Sequence, residues 1–338
     1  MYLTNREEKS TKGAYEVSKD ANYIEGYKPR RMAVTTAFKK YWQLYLLLLL
    51  PVIYFIIFRY KPMEFIIVAF KDYKLNMNLW DMPWATTKKE VDIFKWFVKA
   101  FADKNFHTAL KNTITLNLLD LIIGFPAPII FALVLNELTA KRYKKVVQTI
   151  AYMPHFLSWV IIYSIALQLL APSSGLVNIV LNNMGIESVD FLGKADNWVW
   201  TYILFGVWQN FGWGSIVYLA AIAGINPELY EAAAVDGAGR FKKMWHITLP
   251  GIKSTIVVLL IMALGGILGG NFDRNFAMQN KLVLEKAEVI STFVYKRGIK
   301  SLQFSLTTAV GLFQSVVGVI FLLSANFLSR KLGERGLW

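Results

Sequence analysis

Six long apolar runs dominate this chain of 338 residues and restrict its fold more than any other feature. A helix needs roughly 20 apolar residues to cross a hydrocarbon core of about 30 Å. Because backbone groups find no water in lipid, each run must satisfy its hydrogen bonds internally, as a helix does. We therefore predict an all-α membrane protein with six transmembrane helices. The predicted spans are residues 41–60, 109–137, 144–170, 198–224, 251–270 and 303–328.

The composition agrees with membrane embedding and excludes several other classes. The chain is 55% hydrophobic and only 18% charged, against roughly 25% charged in soluble domains. Its net charge of +14 does not indicate nucleic-acid binding, because no folded polar domain with a basic face is visible. With no cysteine and only three scattered histidines, the sequence contains no convincing metal or cofactor site.

Basic residues near the span ends predict the orientation. The short connection 138–145 carries four bases and no acid, which places it in the cytoplasm by the positive-inside rule. Six spans put both termini on the same side of the membrane. We therefore expect a cytoplasmic N-terminal tail, 1–40, without a cleavable signal. We also expect a membrane domain, 41–328, and a cytoplasmic C-terminal tail, 329–338. The loop 61–108 is also rich in lysine, but its acids nearly balance its bases.

A polar segment, residues 226–250, lies between the fourth and fifth predicted spans, on the expected cytoplasmic side. Asn226 is a good helix cap and Pro227 suits the first helical position. Three consecutive alanines then favour a helix with small side chains. A short helix of this kind can dock in a groove of another protein. The alternative is an ordinary cytoplasmic loop, which would not need such a helix.

The same segment contains a turn and a second helix. Asp236 and Gly237, with Gly239 two residues later, supply a turn in which the backbone can take a positive φ. A second short helix is expected at about 240–247, and Pro250 marks the entry to the fifth span.

Catalytic and energy-converting motifs are missing. No G-x-x-x-x-G-K-[ST] is present, so the chain does not bind ATP through a P-loop. No catalytic residues are predicted, because no paired carboxylates lie within the spans. Asp120 is the only acid deep in a span, and such an acid is a functional hypothesis by default. It either makes a hydrogen bond that packs helices or lies near a transport path.

Aromatic and amide side chains recur inside the predicted spans. Aromatic faces stack on sugar rings and amides hydrogen-bond to hydroxyl groups, so a wet carbohydrate path needs this mixture. For any single residue, packing or anchoring is the alternative role. Trp198 and Trp200 are interpreted as part of an interfacial belt. The candidates for a substrate path are His155, Trp159, Tyr163, Trp208, Gln209, Asn210 and Gln314.

The polar segment carries a resemblance to a known family. Residues 231–238 read Glu-Ala-Ala-Ala-Val-Asp-Gly-Ala, and 247–250 read Ile-Thr-Leu-Pro. This resembles the EAA loop of ABC importer permeases, whose pattern is close to E-A-A-x-x-D-G-A followed by I-x-L-P. The chain is similar over most of its length to LplB/YteP-type carbohydrate permeases, a branch of the MalF-like superfamily. The stretches that carry this wider likeness are 41–45, 124–137, 152–159 and 333–338.

The resemblance implies a type I ABC importer permease in a bacterial plasma membrane, surrounded by lipid. The chain would pair with a second, similar permease above two ATPase subunits. An extracytoplasmic solute-binding protein would deliver an oligosaccharide, often a fragment of a complex or acidic polysaccharide. This chain would be a transport subunit without its own cofactor, because the ATPase would bind ATP and magnesium. The residues implied in ATPase coupling are Glu231, Ala232, Ala233, Asp236, Gly237, Ala238 and Gly239.

Two rival functions make different predictions. A secondary transporter predicts intramembrane coupling charges and inverted repeats, and the sequence shows one acid and no clear repeat. A membrane-embedded transferase predicts acids, histidines or metal ligands that converge at one membrane face, and the sequence offers no such group. Co-purification of an ATPase subunit is expected only for the importer.

Overall fold

A computed structural model of the chain describes residues 34–88, 90–331, 333 and 336–337. Most of the predicted N-terminal tail, and part of the C-terminal tail, therefore lie outside the described residues. The chain divides into two compact units, Met1–Glu64 and Phe65–Trp338. Both are helical in their described parts, as predicted. The only strands among the described residues form one short antiparallel hairpin, β1 (Thr86–Thr87) and β2 (Glu90–Val91).

The part of the first unit that the structure describes, from residue 34 onward, contains one long helix. Helix α1 (Val34–Phe55) continues through a π-helical turn, Ile56–Tyr60, and is kinked at Tyr41. All side chains described from Phe38 to Glu64 are exposed. Such an apolar helix needs lipid or another protein around it, because water would leave a large apolar surface uncovered.

Helices of different lengths build the second unit. The longer ones carry the predicted spans, and the shorter ones connect them or fold back into the bundle. In chain order they are α2 (Lys95–Ala102), α3 (Lys104–Leu119), α4 (Pro126–Asn136), α5 (Lys141–Tyr152), α6 (Trp159–Leu170), α7 (Leu176–Asn183), α8 (Ala195–Ala223), α9 (Pro227–Val235), α10 (Arg240–Lys243), α11 (Leu249–Gly251), α12 (Lys253–Gly265), α13 (Phe272–Met278), α14 (Leu284–Ala287), α15 (Ile290–Val294) and α16 (Phe304–Lys331).

Three stretches within the described residues are long and apolar enough to cross a membrane: Phe38–Phe70, Lys104–Asn136 and Phe304–Lys331. Two more pass the same test if each of two bent helix pairs is one span. Helix α8 has 29 residues, which is long enough to cross a membrane. It is not among these stretches, and Gln209 and Asn210 make its centre more polar. Each of the six predicted runs is therefore largely helical.

The third predicted span is broken into two helices, and the helix of the fifth ends at Gly265, before the predicted end of that span, which corrects the prediction. Helix α5 and the turn after it meet α6 at 103°, and Pro154 lies in that turn. Ser158 then starts α6, because its side chain accepts a hydrogen bond from the Ile161 N–H (3.4 Å). The stretch through α10 and α11 meets α12 at 58°, beside Pro250, which is the predicted entry to the fifth span. Proline has no N–H to donate and favours such breaks.

Residues 271–300, which lie between the fifth and sixth predicted spans, fold back into the bundle as α13, α14 and α15. Helix α13 packs against α6. Trp198 is completely buried here and donates its indole N–H to the Met278 carbonyl (2.8 Å). The interfacial-belt interpretation of Trp198 is therefore wrong, whereas Trp200 is exposed. An aromatic residue near a span end can serve either role, because only the fold decides whether a partner covers it.

Three clusters of buried apolar side chains hold the second unit together. The first joins α6 and α8 to the segment 271–300 and contains Trp159, Tyr202 and Met278. The second joins α2 and α3 to α15 and α16. The third packs α4 against the later part of α8, beside the polar segment 226–250. The end of the polar segment packs against this cluster through Met244 and Leu249, whereas helix α9 contributes no buried residue.

Candidate functional site

Helix α9 begins the polar segment as the sequence predicts. The Asn226 side chain accepts a hydrogen bond from the Glu228 N–H (3.1 Å), and Pro227 occupies the first helical turn. This cap satisfies one of the N–H groups that a helix start leaves unpaired. The helix therefore starts at a defined residue, immediately after the long helix α8.

Gly237 ends α9 in a Schellman turn. Its φ is +72°, its N–H donates to the Ala234 carbonyl (3.1 Å), and the Ala238 N–H donates to the Ala233 carbonyl (2.8 Å). This pair of bonds satisfies carbonyls at the end of the helix, and a residue with a side chain resists the left-handed conformation. Gly239 has a φ of −68°, so the positive φ expected for this turn belongs to Gly237 alone.

The segment exposes apolar side chains to solvent. Val235, at the end of α9, is 88% exposed, and Phe241 in α10 is 70% exposed. The Phe241 and Trp245 rings stack with their centroids 6.4 Å apart. Glu231, Ala232, Asp236, Gly237 and Gly239 are exposed as well, while Ala233 and Ala238 are half-buried. An exposed surface with several large apolar residues is typical of a protein contact.

A hydrogen bond that the sequence did not predict fixes α9 to the rest of the segment. The Tyr230 hydroxyl lies 3.0 Å from Oγ1 of Thr248, and Thr248 is buried. The pair is 18 residues apart in sequence and closes the segment into one folded unit. No helical or strand period connects two such residues, so only the folded turn reveals the contact.

Removing this bond should loosen α9. We expect Tyr230→Phe to lower the stability of the folded segment by about 1 kcal/mol, or roughly fivefold in its opening equilibrium. Hydrogen–deuterium exchange of the α9 amides measures this. Thr248→Val should have a similar effect, and the double variant should add little, because both remove the same bond. Additive effects would show that the two hydroxyls act separately.

Six of the seven candidates for the substrate path lie in the bend after α5, in helix α6 or in helix α8. His155 stacks on Trp213, with ring centroids 4.8 Å apart and planes 1° from parallel. Gln209 is buried and donates to the Leu157 carbonyl (3.2 Å). Asn210 is exposed and donates to the Gly206 carbonyl one turn back (3.0 Å).

The remaining aromatic candidates do not form one surface. Trp159 is buried in the first cluster, and Tyr163 packs beside it half-buried. Trp208 is partly exposed and meets Phe205 edge-on (6.0 Å). Aromatic residues inside spans therefore serve both packing and exposed roles here.

Gln314 is separated from the other candidates and supports the chain after α12. Its side-chain amide donates to the Leu268 carbonyl. From another side, Nδ2 of Asn117 donates to the carbonyls of Ile267 (2.7 Å) and Gly269 (3.0 Å). The segment 266–270 has left the helix, so its carbonyls need such partners in a membrane. These two amides supply them.

Asp120 has a partner that sequence reasoning missed. Its Oδ2 lies 2.6 Å from Nη1 of Arg274, whose side chain is only 6% exposed, while that of Asp120 is 30% exposed. Nη2 of Arg274 also donates to Asp120 Oδ1 (3.3 Å) and to the Tyr202 carbonyl. Asp120 opens a π-helical turn, Asp120–Gly124, and Arg274 comes from α13. A π-turn in an otherwise α-helical stretch is frequent at functional positions.

The protein builds a fitted space for the Arg274 guanidinium. The Tyr202 ring lies 3.6 Å and the Trp159 ring 5.3 Å from its central carbon. A Cβ atom at Gly206 would stand 2.1 Å from Nη2, so a side chain there would displace the guanidinium from this space. The signal in the sequence is the lone acid itself, because a charged side chain in an apolar run needs a partner, but it does not single out Arg274 among the bases near the spans.

A cavity of about 300 Å³ lies beside the ion pair and opens to the surface of the second unit. The polar side chains that line it are Asn117 and Asp120. Leu121 and Phe125 supply an apolar wall from the helix break, and Ile267 faces them from the segment after α12. The Asp120 side chain, which is 30% exposed, is therefore the charged side chain that lines this cavity.

Comparison with known proteins identifies related chains. The family described as "Binding-protein-dependent transport system inner membrane component" matches residues 124–334, a range that includes α9, the Gly237 turn and Arg274. The chain is 43% identical over 319 residues to the polygalacturonan/rhamnogalacturonan transport system permease protein YteP of Bacillus subtilis (strain 168). The match covers 94% of this chain and 97% of that relative.

A second relative and a solved structure agree with this. The protein LplB of Bacillus subtilis (strain 168) is 42% identical over 302 residues, which cover 89% of this chain and 93% of LplB. A chain in the crystal structure of a bacterial alginate ABC transporter, in complex with an alginate pentasaccharide-bound periplasmic protein, superposes with a TM-score of 0.80. Its identity is 41%, and the match covers 90% of this chain and 99% of that one.

Proposed function

The chain belongs to the family of binding-protein-dependent transport system inner membrane components, and from this premise we propose that it imports oligosaccharides as the permease subunit of an ATP-driven ABC transporter. The observation that carries the proposal is the exposed helix, Gly237 turn and second helix between α8 and α12. Because the chain has no P-loop, energy must enter from another subunit.

Coupling is assigned to this segment. Helix α9 docks in a cleft of an ATPase subunit, with Glu231 facing that subunit and the Gly237 turn fixing the direction of the chain after it. The exposure of Val235 and Phe241 supports docking, because apolar side chains gain most when a partner covers them. The small side chains of Ala232 and Ala233 allow close approach of the helix.

The orientation and the remaining partners follow from the same reading. Six spans place both termini and the 226–250 segment in the cytoplasm of a bacterial cell. The bases at 138–145 support this side. A second, similar permease completes the path, two ATPases bind ATP and magnesium below it, and a solute-binding protein delivers the sugar from outside.

The substrate is assigned as an oligosaccharide from an acidic or complex polysaccharide. Support comes from the relatives, which are named for polygalacturonan, rhamnogalacturonan and alginate. The alternative of a secondary transporter is excluded, because family membership makes this chain a component of binding-protein-dependent transport. In the resulting cycle, closure of the ATPases brings the coupling helices together and opens the path outward. Hydrolysis of ATP then resets the path.

Reversing one exposed charge tests the coupling assignment. We expect Glu231→Lys to reduce ATP-driven uptake at least about tenfold, because it places the wrong charge in the contact with the ATPase. The permease itself should fold, since Glu231 is exposed and lies outside the packed clusters. Uptake in proteoliposomes and co-purification of the ATPase subunit are the measurements.

The matched control is Glu187→Lys, the same charge reversal at an exposed position outside the loop. It should keep uptake and ATPase binding at the wild-type level. Normal uptake by a fully assembled Glu231→Lys complex would contradict the coupling role of α9.

A further inference from the structure

The carboxylate of Asp120 has more hydrogen-bonding capacity than Arg274 uses. An ionised carboxylate offers about four lone-pair sites, and Arg274 occupies one on each oxygen, at 2.6 and 3.3 Å. The side chain is 30% exposed, and the cavity of about 300 Å³ lies against it. The Asp120 side chain thus lines an open space instead of being sealed in the bundle.

The second polar side chain of the cavity also presents an acceptor. Nδ2 of Asn117 is committed to the carbonyls of Ile267 and Gly269, which leaves Oδ1 as the atom available to a ligand. Both polar side chains of the lining therefore accept hydrogen bonds. A group that donates hydrogen bonds fits this pair, and a carboxylate does not.

The charge of the site indicates which of two ligands it favours, a cation or a neutral group that donates hydrogen bonds. An Asp120 carboxylate without a paired base, next to the non-helical backbone of 266–270, would suit a cation. Here Arg274 supplies a compensating positive charge at 2.6 Å, so the pair is neutral overall. A neutral donor such as a hydroxyl group gains a strong hydrogen bond to the carboxylate without that opposing charge.

The apolar part of the lining fits a sugar ring. Leu121, Phe125 and Ile267 line the cavity with Asn117 and Asp120, and aliphatic or aromatic walls cover the C–H face of a ring. A volume of about 300 Å³ is at the lower end of the roughly 300–1,000 Å³ of ligand pockets. It fits a single ring of a longer chain.

Resting on the proposed function, we propose that this cavity is a sugar subsite of the transport path. The Asp120 carboxylate and Oδ1 of Asn117 accept hydrogen bonds from the hydroxyl groups of one sugar residue. Arg274 is a positioning residue, which holds the carboxylate at the cavity edge and neutralises it. The subsite takes a hydroxyl-rich face of the oligosaccharide and leaves the acidic groups to other parts of the path.

Filling the cavity is the cleanest test, because it leaves the ion pair in place. In the complete importer in proteoliposomes, with its binding protein and an oligogalacturonide as the probe, we expect Leu121→Phe to lower uptake about tenfold or more. This is the loss expected when a charge-assisted hydrogen bond can no longer form. ATP hydrolysis stimulated by the loaded binding protein should stay at the wild-type level, so fewer sugars are transported per ATP.

Two further variants make the result specific. Leu121→Ala enlarges the cavity and keeps the acceptors, so uptake should fall far less than with Leu121→Phe. The double variant Asp120→Asn with Arg274→Met removes the carboxylate and its counter-charge together, and should lower sugar uptake per ATP. Asp196→Asn is the control for losing a carboxylate. Asp196 is exposed and paired with Lys286, whose hydrogen bond lowers the pKa of that carboxyl.

The outcomes separate this proposal from the proposed function. Uptake that falls in proportion to ATP hydrolysis, or does not fall, in Leu121→Phe overturns the subsite. Uptake that depends on sodium or potassium in wild type, and loses that dependence in the double variant, overturns it in favour of a cation site. A wild-type complex without ATP-driven uptake would instead refute the proposed function.

Discussion

Arg274→Met is expected to destabilise the chain by roughly 3–5 kcal/mol, the usual cost of leaving one member of a buried ion pair without its partner. The Asp120 carboxyl would lose its hydrogen-bonding partner in a largely apolar region, with no other base paired to it in the described part of the chain. The variant also removes the guanidinium from its position against the Tyr202 ring. Unfolding by denaturant titration in mixed micelles measures the change.

The double variant Asp120→Asn with Arg274→Met is the decisive comparison. Replacing both members of a buried pair by neutral groups is often close to neutral for stability. We therefore expect the double variant to recover most of the stability that Arg274→Met loses. If both variants were equally unstable, the loss would come from packing around Arg274 and not from an unpaired charge.

Gly206 gives an independent readout of the same space. A Cβ at this position would stand 2.1 Å from the Arg274 guanidinium, so Gly206→Ala should destabilise the wild type. In the double variant the guanidinium is absent, and the flexible methionine side chain can move aside. The cost of Gly206→Ala should then be smaller, which is the signature of two residues in contact.

The apolar runs and the polar segment were predictable because each depends on local sequence. Runs of about 20 apolar residues leave few alternatives to a helix in lipid. The Asn226 side chain caps the start of α9 with a hydrogen bond, and Gly237 ends the helix with its positive φ. Elements of this kind need no knowledge of the rest of the chain.

The ion pair and the breaks were not predictable in the same way. Asp120 and Arg274 are 154 residues apart, and no periodicity joins them. Their contact depends on α13 folding back into the bundle. Hydropathy cannot show this, because it indicates whether a segment is buried but not which segment it packs against. The bend at Pro154 has the same character: proline permits a break in a helix, but packing decides whether it bends by 103°.

Gly237→Pro is expected to reduce ATP-driven uptake about 100-fold. The φ of Gly237 is +72°, while proline fixes φ near −65° and removes the N–H that donates to the Ala234 carbonyl. At a local cost of about 3 kcal/mol, fewer than one molecule in a hundred has this loop in the docking conformation. The apparent affinity for the ATPase subunit falls by the same factor. Uptake in proteoliposomes and ATPase co-purification should both fall.

A graded series identifies backbone strain as the cause. At Gly237 and at Gly239 an added Cβ would meet no atom within 4 Å, so only the backbone conformation distinguishes the two sites. Gly237→Ala forces alanine to a φ of +72°, at a cost of about 1–2 kcal/mol, and should lower uptake roughly tenfold. Gly239→Ala keeps an ordinary φ of −68° and should have a smaller effect.

Thermal stability of the bundle should be unchanged in all three variants, because the turn lies outside the packed clusters. Equal losses from the two alanine variants would show that the loop needs small residues for contact with its partner, and that the conformation of Gly237 is not what couples ATP to transport.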